Sequence, residues 1–162
     1  MTGTRDRAGR EPGPVARQRT AAAPQVEAAT THDREAVVAL WRACDLTRPW
    51  NDPDRDFVQA VSGATSAVLV VRDGERVVGS VMVGFDGHRG WVYYVAVHPV
   101  SRRRGLGRAL MAAAENWLVA REAPKLQLMV REGNEAAARF YEALGLERQA
   151  VVTFGRFLND VE

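Results

Sequence analysis

The sequence predicts an α+β fold, of mixed α/β type, in which one central, mostly antiparallel and twisted sheet is flanked by about four helices. Three β-rich runs follow one another in the middle of the chain, separated only by short turns. Amphipathic helical patterns come before and after them. With 162 residues, 46% of them apolar, the chain has the size of one domain with a substantial core.

The first 24 residues differ in composition from the rest. They combine Arg, Gly, Pro, Thr and Ala with almost no large apolar side chains, so they cannot offset the entropy of ordering and are expected to be disordered. A targeting role is an alternative, which Asp6 and Glu11 disfavour. The folded domain is expected to span residues 25–162.

Charge, cysteine content and hydropathy narrow the function classes. The net charge is +2, and the basic excess falls in the leading segment, so the near-neutral folded part does not indicate nucleic-acid binding. The single cysteine, Cys44, cannot form an intramolecular disulfide. No stretch approaches the roughly 20 apolar residues that span a bilayer, and the N-terminus lacks the apolar block of a secretory signal. A cytoplasmic protein without a membrane partner is therefore expected.

The N-terminal part of the domain is predicted to form one short strand and two helices. Residues 26–29 fit the strand, and Thr31 can cap a helix that ends near Asp45. Two prolines in residues 46–53 disfavour helix there, so this stretch is expected to be an irregular loop. A second helix is predicted over residues 54–61.

The middle of the chain is predicted to be an antiparallel meander. The β-rich runs 67–71 and 76–85 are joined by Arg72-Asp73-Gly74-Glu75, whose Asp-Gly pair is typical of a hairpin. The loop 86–90 then leads to the third strand, residues 91–97.

The C-terminal part of the domain alternates between helix and strand. A long amphipathic helix is predicted over residues 106–121 and a strand over residues 125–130. The next helix, over residues 135–144, is closed by Gly145. Residues 151–158 are predicted to form the last strand.

A glycine turn, Arg102-Arg103-Arg104-Gly105-Leu106-Gly107, lies between the meander and the long helix. The free N–H groups of a helix N-terminus favour anions, and glycine lets a ligand approach the main chain. The arginines of the turn, with Arg108, add positive charge that suits a pyrophosphate. The P-loop and dinucleotide-binding patterns do not fit. A solvated arginine cluster is the alternative, but cations are unfavourable at a helix N-terminus unless an anion is bound.

The turn and a segment downstream resemble two motifs of the GNAT acetyltransferases. Motif A, Arg/Gln-x-x-Gly-x-Gly/Ala, is matched by Arg102-x-x-Gly105-x-Gly107 after a strand and His98-Pro99. Motif B is matched by Asn134-x-x-Ala137-x-x-Phe140-Tyr141-x-x-x-Gly145-Leu146. The motifs occur in the family's order, and the resemblance covers residues 25–158. Through Cys-Asp-Leu-x-Arg-Pro-Trp-Asn-Asp-Pro and Asp-Gly-His-Arg-Gly the chain is most similar to the small bacterial YpeA-type acetyltransferases.

The resemblance implies a GNAT-like domain whose sheet splays open at a site for acetyl-CoA, and no metal is expected. The family's cofactor contacts correspond here to a strand, the glycine turn and the start of a helix: Val95, Ala96, Val97, Arg102, Arg103, Arg104, Gly105, Leu106, Gly107, Arg108, Asn134 and Ala137. Asn134 can also cap that helix, and both roles are compatible. Tyr141 occupies the position of the residue that protonates the departing thiolate. Packing against Phe140 is its alternative role, and the Val95 N–H is the expected oxyanion donor.

The general base stays open at this stage. Many relatives have a glutamate on the strand before either motif, but residues 91–97 contain no carboxylate and Met129 lies in the middle of residues 125–130. Asp86, His88 and Glu132 are candidates, as is a water chain lined by Tyr93 or Tyr94. For His88 a structural role in its loop is an alternative.

The acceptor site is expected, by resemblance, beneath the loop of residues 48–53. The candidate substrate-binding residues are Arg48, Trp50, Asn51, Asp86, His88 and Tyr94. Arg48 with Asn51 and Asp52 would suit a charged acceptor such as an amino acid or a peptide terminus. The alternative is a loop that is merely held in place by its tryptophan.

The expected function is transfer of the acetyl group of acetyl-CoA to a primary amine of a small molecule, amino acid, peptide or protein, by direct attack in a ternary complex. One alternative is a non-catalytic acyl-CoA-binding sensor or regulatory module, which the missing strand carboxylates favour. Another is nucleic-acid binding through the arginine turn and the N-terminal extension. An amine-bearing acceptor is the expected partner, and the protein is expected to be a monomer or a homodimer.

Overall fold

A computed structural model describes residues 23–158 of the chain. It contains five strands: β1 (Val26–Ala28), β2 (Ser66–Asp73), β3 (Arg76–Phe85), β4 (Gly90–Val97) and β5 (Leu126–Gln127). They form one sheet in chain order, with β1 to β4 antiparallel and β5 parallel to β4. The predicted class, an α+β domain around a mostly antiparallel sheet, is confirmed.

Four α-helices cover the two faces of this sheet: α1 (Arg34–Ala43), α2 (Pro53–Ser62), α3 (Leu106–Val119) and α4 (Glu135–Ala143). Helices α1 and α2 pack against one face, whereas α3 and α4 pack on the other. None of the helices within residues 23–158 has the length and apolar composition that crossing a lipid bilayer requires.

The apolar run in β2 explains why both faces are covered. Val68 and Val70 belong to the core under α1 and α2, whereas Leu69 and Val71 belong to the core under α3. Successive side chains of a strand point to opposite faces, so an uninterrupted apolar run makes both faces apolar. Burying them requires a helix layer on each side.

The chain enters α1 through a 3₁₀ turn, Thr31–Asp33, that is capped by Thr30 and not by Thr31 as predicted. Asp33 Oδ2 accepts hydrogen bonds from the Thr30 main-chain N–H at 2.8 Å and from its hydroxyl at 3.3 Å. The carboxylate thereby satisfies an N–H group that the helix start leaves without a partner.

Trp41 anchors α1 in the core. Its fully buried indole stacks on the Tyr94 ring, with 4.0 Å between centroids and 13° between planes. The Phe57 ring meets it edge-on at 6.1 Å. The indole Nε1–H donates to Ser80 Oγ at 2.9 Å, so both polar groups are paired in the interior. This cluster joins α1, α2, β3 and β4.

A β-bulge interrupts the pairing of β3 with β4. Ser80 is opposite Ala96 and Met82 is opposite Tyr93, so two β4 residues lie between these pairs against one β3 residue. The first of the two, Tyr94, has a left-handed φ of 50°. Such an extra residue bends a strand and re-aims its side chains.

The sheet opens on the other side of β4. Strands β4 and β5 pair at Gly90–Leu126 and Trp91–Gln127 only. At the start of this pairing Gly90 lies close to α3, since a Cβ there would be 2.5 Å from Leu118 Cδ1. Beyond Trp91 the two strands diverge, so the opening that the resemblance implied is present.

Two expectations for the C-terminal part are wrong. The strand predicted over residues 125–130 is reduced to Leu126–Gln127, and residues 151–158 form no strand. In the described chain neither segment has a neighbouring main chain that completes a ladder. The expectation that residues 1–24 are disordered concerns a segment of which residues 1–22 lie outside the described residues.

Replacing Ser80 by alanine is expected to lower the free energy of unfolding by about 1–3 kcal/mol, because the buried indole N–H of Trp41 loses its acceptor. Urea denaturation measures this change. Ser62→Ala, at an exposed position, is the matched control and should stay within about 0.5 kcal/mol of the unaltered protein. Equal unfolding midpoints for Ser80→Ala and the unaltered chain would contradict this account of the Trp41 cluster.

Candidate functional site

The gap between the diverging strands is a cleft of about 970 Å³. Residues of β4 form one wall and Leu128–Arg131 form the opposite wall. The glycine turn, α4 and the α1–α2 loop contribute the rest of the lining. The cleft-lining residues include these sequence-predicted ones: Arg48, Asn51, Tyr94, Val95, Ala96, Val97, Arg102, Arg103, Gly105, Leu106, Gly107, Arg108, Asn134, Ala137 and Tyr141.

The glycine turn has the backbone of an anion cradle. Arg103 and Gly105 both have left-handed φ values, 62° and 76°. For a residue other than glycine this conformation is uncommon and costs free energy, so a strained arginine here points to a function of the turn. Helix α3 starts immediately afterwards, and the Ala109 N–H is bonded to the Gly105 carbonyl at 3.1 Å. The earlier N–H groups at the helix start remain available to an anion.

The arginines of the turn point in different directions. Arg103 and Arg108 line the cleft, and Arg102 Nε donates to the Val97 carbonyl at 3.3 Å. Arg104 instead forms an ion pair with Asp73 of the β2–β3 hairpin, at 3.1 Å, and does not line the cleft. The Arg104 side chain therefore does not point to the cleft with the other predicted cofactor-binding residues, because the Asp73 carboxylate on the neighbouring hairpin attracts it.

The main chain of β4 presents polar groups to the cleft. His98 N–H donates to the Val78 carbonyl of β3, whereas the Val97 carbonyl accepts from Cys44 Sγ at 3.4 Å and from Arg102 on the opposite side. Main-chain groups of successive strand residues alternate in direction. Val95 therefore directs its N–H and carbonyl the same way as Val97, away from β3 and towards the cleft.

Tyr141 is placed at the cleft by the packing of α4 on α3. A Cβ on Gly107 would lie 3.0 Å from Phe140 Cζ, so the absence of a side chain at Gly107 seats the Phe140 ring at the start of α3. The rings of Phe140 and Tyr141 are 5.0 Å apart. Burial raises the pKa of Tyr141, so its hydroxyl keeps its proton at neutral pH.

Asn134 caps α4 and also lines the cleft, which are the placements that its two predicted roles require. Its Oδ1 accepts the Ala137 N–H at 3.2 Å and thereby caps α4, and both residues line the cleft. The side-chain amide nitrogen is not used by this cap, so it can donate to a ligand in the cleft.

The α1–α2 loop and its neighbours contribute a polar wall to the cleft. Tyr94 donates its hydroxyl proton to Asp56 Oδ2 at 2.7 Å. Burial first, and then this hydrogen bond, raise the pKa of Tyr94 to about 12. The guanidinium of Arg48 is held by the main-chain carbonyls of Asp45 and Thr47. This wall therefore combines a fixed cation with a neutral phenol.

Trp50 lies beside the cleft and not in its lining. The indole is 46% exposed, and the Arg131 guanidinium lies 5.9 Å from its ring centroid. Arg131 itself lines the cleft, so this contact connects Trp50 to the cleft wall. Sequence analysis did not identify Arg131, although its place three residues before motif B was a usable signal.

Asp86 and His88 lie in the β3–β4 hairpin, outside the cleft lining. Asp86 Oδ1 accepts the N–H groups of His88 at 2.8 Å and Arg89 at 2.6 Å, and Oδ2 accepts the Trp91 indole N–H at 3.0 Å. These bonds, that to Arg89 first, lower the pKa of Asp86 to about 2. A carboxylate with these partners stabilises its turn and is a poor base.

Glu132 is exposed and likewise does not line the cleft. Of the described residues that do, Asp45 is the only one with a carboxylate, and its side chain is 97% exposed beside Arg48. Within residues 23–158 no three metal-ligating side chains come together. The site therefore offers donors, cations and phenols, but no enclosed carboxylate.

The sequence matches a family model described as Acetyltransferase (GNAT) family over residues 20–146. An acetyltransferase of Pectobacterium atrosepticum is 47% identical over 126 residues, which cover 78% of this chain and 89% of the relative. An uncharacterized N-acetyltransferase of Yersinia pestis is 46% identical over 126 residues, with the same two coverages, 78% and 89%.

Among solved structures, that of AAC(6')-Iy in complex with the bisubstrate analog CoA-S-monomethyl-acetylneamine matches with a TM-score of 0.73. The match covers 84% of this chain and 99% of that chain, at 16% sequence identity. At this identity the likeness shows a shared fold.

The Asp86→Asn variant is expected to lose stability at neutral pH and to lose progressively less as the pH falls. The folded-state pKa of Asp86 is about 2, below the ordinary value of 3.8 for an aspartate, so its contribution is complete above pH 3.8 and disappears as the pH falls through about 2. Denaturation at a series of pH values tests this. Glu75→Gln, an exposed position of the β2–β3 hairpin, is the control. A difference that does not vary with pH would contradict the assignment.

Proposed function

Because the chain belongs to the GNAT family of acetyltransferases, we propose that it transfers the acetyl group of acetyl-CoA to a primary amine of a small molecule, amino acid or peptide, by direct attack in a ternary complex. The observation that carries this proposal is the cleft itself, in which a strained anion cradle and an unpaired strand edge face one ligand space. A nucleotide pyrophosphate with a long amide-bearing arm matches both features.

The residues present fit such a ligand. The N–H groups at the start of α3, with the side chains of Arg103 and Arg108, would hold the pyrophosphate. The outward N–H and carbonyl of Val95 and the N–H of Val97 would pair with the amides of the pantetheine arm, as an added strand does. Structures of AAC(6')-Iy with CoA and with a CoA-containing bisubstrate analog support a CoA site in this fold.

Different groups of the chain would assist different steps of the acetyl transfer. Bound acetyl-CoA supplies the thioester, whose carbonyl carbon the acceptor nitrogen attacks as the C–N bond forms and the C–S bond breaks. The Val95 N–H donates a hydrogen bond to the carbonyl oxygen as it gains negative charge. Tyr141 donates its hydroxyl proton to the departing sulfur and recovers a proton from the cleft water, which takes up the proton that the acceptor nitrogen loses.

The acceptor amine must be neutral to attack, and its proton must leave the cleft. Asp86 and His88 bind their own hairpin, and Glu132 does not line the cleft. We therefore assign this proton to water in the cleft beside Tyr93 and Tyr94, the water chain considered from the sequence. The phenols act here by orienting water, because the pKa of Tyr94 is too high for a base at neutral pH.

The cleft lining includes two cations, Arg48 and Arg131, and the amide side chain of Asn51. Arg48 is ordered by two carbonyls, so its charge is positioned before a ligand arrives. An acceptor with a carboxylate near its amine, such as an amino acid or a short peptide, matches this charge.

A non-catalytic acyl-CoA-binding module is the second candidate. The absence of an enclosed carboxylate from the described cleft lining favours it. Assay of the purified chain with acetyl-CoA and a panel of amines, amino acids and peptides separates the two candidates. Formation of an acetylated product with release of free thiol supports the enzyme, and acetyl-CoA binding without product supports the module.

Arg103→Ala and Arg108→Ala are each expected to raise the acetyl-CoA dissociation constant by about 10-fold, because each removes a charge-assisted contact to phosphate. Titration calorimetry measures the constants. Arg104→Ala is the matched control from the same cluster, since Arg104 is paired with Asp73, and its constant should change by less than about 2-fold. Equal losses in all three variants would show that only the net charge of the turn matters.

Tyr141→Phe is expected to lower kcat by about 100-fold while the acetyl-CoA dissociation constant stays within about 2-fold. The variant keeps the ring that packs beside Phe140 and removes only the acidic proton. Met129→Leu, which alters another cleft-lining side chain without removing a proton donor, is the control and should retain most of the rate. An unchanged kcat in Tyr141→Phe would refute the proton-donor role.

A further inference from the structure

Asp56 is an acidic residue in the first turn of α2 to which the proposed chemistry assigns no role. The residue is half-buried, and its Oδ2 accepts the hydroxyl proton of Tyr94 at 2.7 Å. Within residues 23–158 no ion pair includes Asp56. A partly buried carboxylate is costly unless a donor or a cation compensates it. The phenol of Tyr94 supplies that compensation.

Asp54, two residues earlier in the same turn, has different partners. Its carboxylate forms ion pairs with Arg34 at 3.7 Å and with Arg42 at 3.5 Å, both of them in α1. Residues two positions apart on a helix do not face the same neighbours. The two acidic side chains are thus matched in type and location, and Asp56 is the one that bonds to a residue of the cleft lining.

The Tyr94 hydroxyl is held in the cleft wall. Its ring stacks on the buried Trp41 indole, and its main chain keeps a left-handed φ of 50°, which costs free energy in a residue other than glycine. The Asn51 side chain lowers the pKa of the same hydroxyl, against the larger effects of burial and Asp56. Asn51 and Tyr94 both line the cleft. The phenol oxygen is therefore in place before a ligand arrives.

The direction of the hydroxyl proton decides what Tyr94 can do for an amine. A hydroxyl has one proton to donate and lone pairs that accept. A free phenol beside an amine would donate to the nitrogen lone pair, which is the nucleophile. A hydrogen bond to a carboxylate is charge-assisted and stronger than one between neutral groups, so Asp56 retains the proton. Tyr94 then offers the cleft only an oxygen that accepts.

We propose that Asp56 positions the acceptor amine through Tyr94: the carboxylate engages the hydroxyl proton, and the phenol oxygen accepts an N–H of the acceptor nitrogen. The role rests on the proposed acetylation of a primary amine. One N–H of such an amine binds Tyr94, the other faces the cleft water that receives its proton, and the lone pair stays free for the thioester carbon. Asp56 is a positioning residue, because it acts on the substrate only through the phenol.

The same arrangement favours the transition state over the bound amine. As the C–N bond forms, the nitrogen gains positive charge and its N–H groups become stronger donors. The negative charge of Asp56 polarises the Tyr94 hydroxyl and makes its oxygen a better acceptor. The hydrogen bond from the nitrogen to Tyr94 therefore strengthens during the attack, so the pair contributes to kcat more than to affinity.

Asp56→Asn is expected to lower kcat by about 10- to 50-fold while the acetyl-CoA dissociation constant stays within about 2-fold. An amide at this place can direct its N–H groups at the phenol oxygen and release the hydroxyl proton to the cleft. Asp54→Asn is the matched control from the same helix turn, and its kcat should stay within about 2-fold of the unaltered chain. Circular dichroism establishes that both variants are folded.

Steady-state rates are measured with whichever of L-lysine, L-serine, dialanine and benzylamine the unaltered chain acetylates fastest, and titration calorimetry gives the acetyl-CoA dissociation constants. These amines differ in charge and size but share the primary amino group that the Tyr94 oxygen would bind.

A double-mutant cycle with Tyr94→Phe separates positioning from a purely structural role. Tyr94→Phe keeps the ring that stacks on Trp41, removes the hydroxyl, and is also expected to lower kcat by about 10- to 50-fold. The double variant should be within about 2-fold of Tyr94→Phe, because Asp56 then has no hydroxyl through which to act. If Asp56 only stabilised α2, the two losses would multiply.

Multiplying losses, or an unchanged kcat in Asp56→Asn or in Tyr94→Phe, would overturn the positioning role of Asp56 while the unaltered chain still forms product. Equal losses in Asp54→Asn and Asp56→Asn would also overturn it, by showing that only the net charge of α2 matters. Acetyl-CoA binding without product from any of the four amines would instead contradict the proposed function, and the role of Asp56 would fall with it.

Discussion

Strand β4 has hydrogen-bonded neighbours on both sides only at its first two residues. After Trp91 its outer edge faces the cleft, and the bulge at Tyr94 re-aims the main chain that follows. Unpaired main-chain groups in a sheet interior are costly unless another partner satisfies them. The outward groups of Val95 and the N–H of Val97, whose carbonyl already accepts from Cys44 and Arg102, would therefore stabilise an extended, amide-bearing ligand through the same kind of hydrogen bond that holds the sheet together.

Close packing at two glycines fixes the elements that border the cleft. Leu118 of α3 lies against Gly90 at the point where β4 and β5 still pair, and Phe140 of α4 lies against Gly107 at the start of α3. Each contact needs a glycine because a Cβ would come within about 3 Å of the packed side chain. Gly107 is thus a packing position that sets the place of Tyr141, whereas Gly105 serves the left-handed turn.

Most of the fold could be predicted because its signals are local. The continuous apolar runs predicted β2 to β4, the Asp73-Gly74 pair predicted their first hairpin, and helical spacing predicted α1 and α3. The strand of residues 151–158 could not be judged in this way, since a strand exists only when another main chain lies beside it. The bulge at Tyr94 could not be predicted for the same reason. It arises from the pairing of β4 with β3, and no local pattern in the sequence of β4 indicates it.

The site was partly predictable for a related reason. The anion cradle follows from glycines and a helix start within one short segment, and the structure brings that segment to the same cleft as Asn134 and Tyr141. Side-chain directions depended on distant residues. Asp73 draws Arg104 away from the cleft, and the Trp91 indole and two hairpin N–H groups engage Asp86. The spacing of residues in the sequence does not predict such long-range side-chain contacts.

The loop between α1 and α2 is fastened at its two ends. The Asp52 carboxylate caps α2 by accepting the N–H groups of Asp54 and Arg55, and Arg48 binds main-chain carbonyls that any residue would supply. The stretch between them makes few side-chain demands on the rest of the domain, while the cradle and Tyr141 belong to later elements. In the proposed assignment this stretch is part of the acceptor wall, so substitutions in it would leave the acetyl-donor half unchanged, and one scaffold could accept different substrates through changes in a few neighbouring residues.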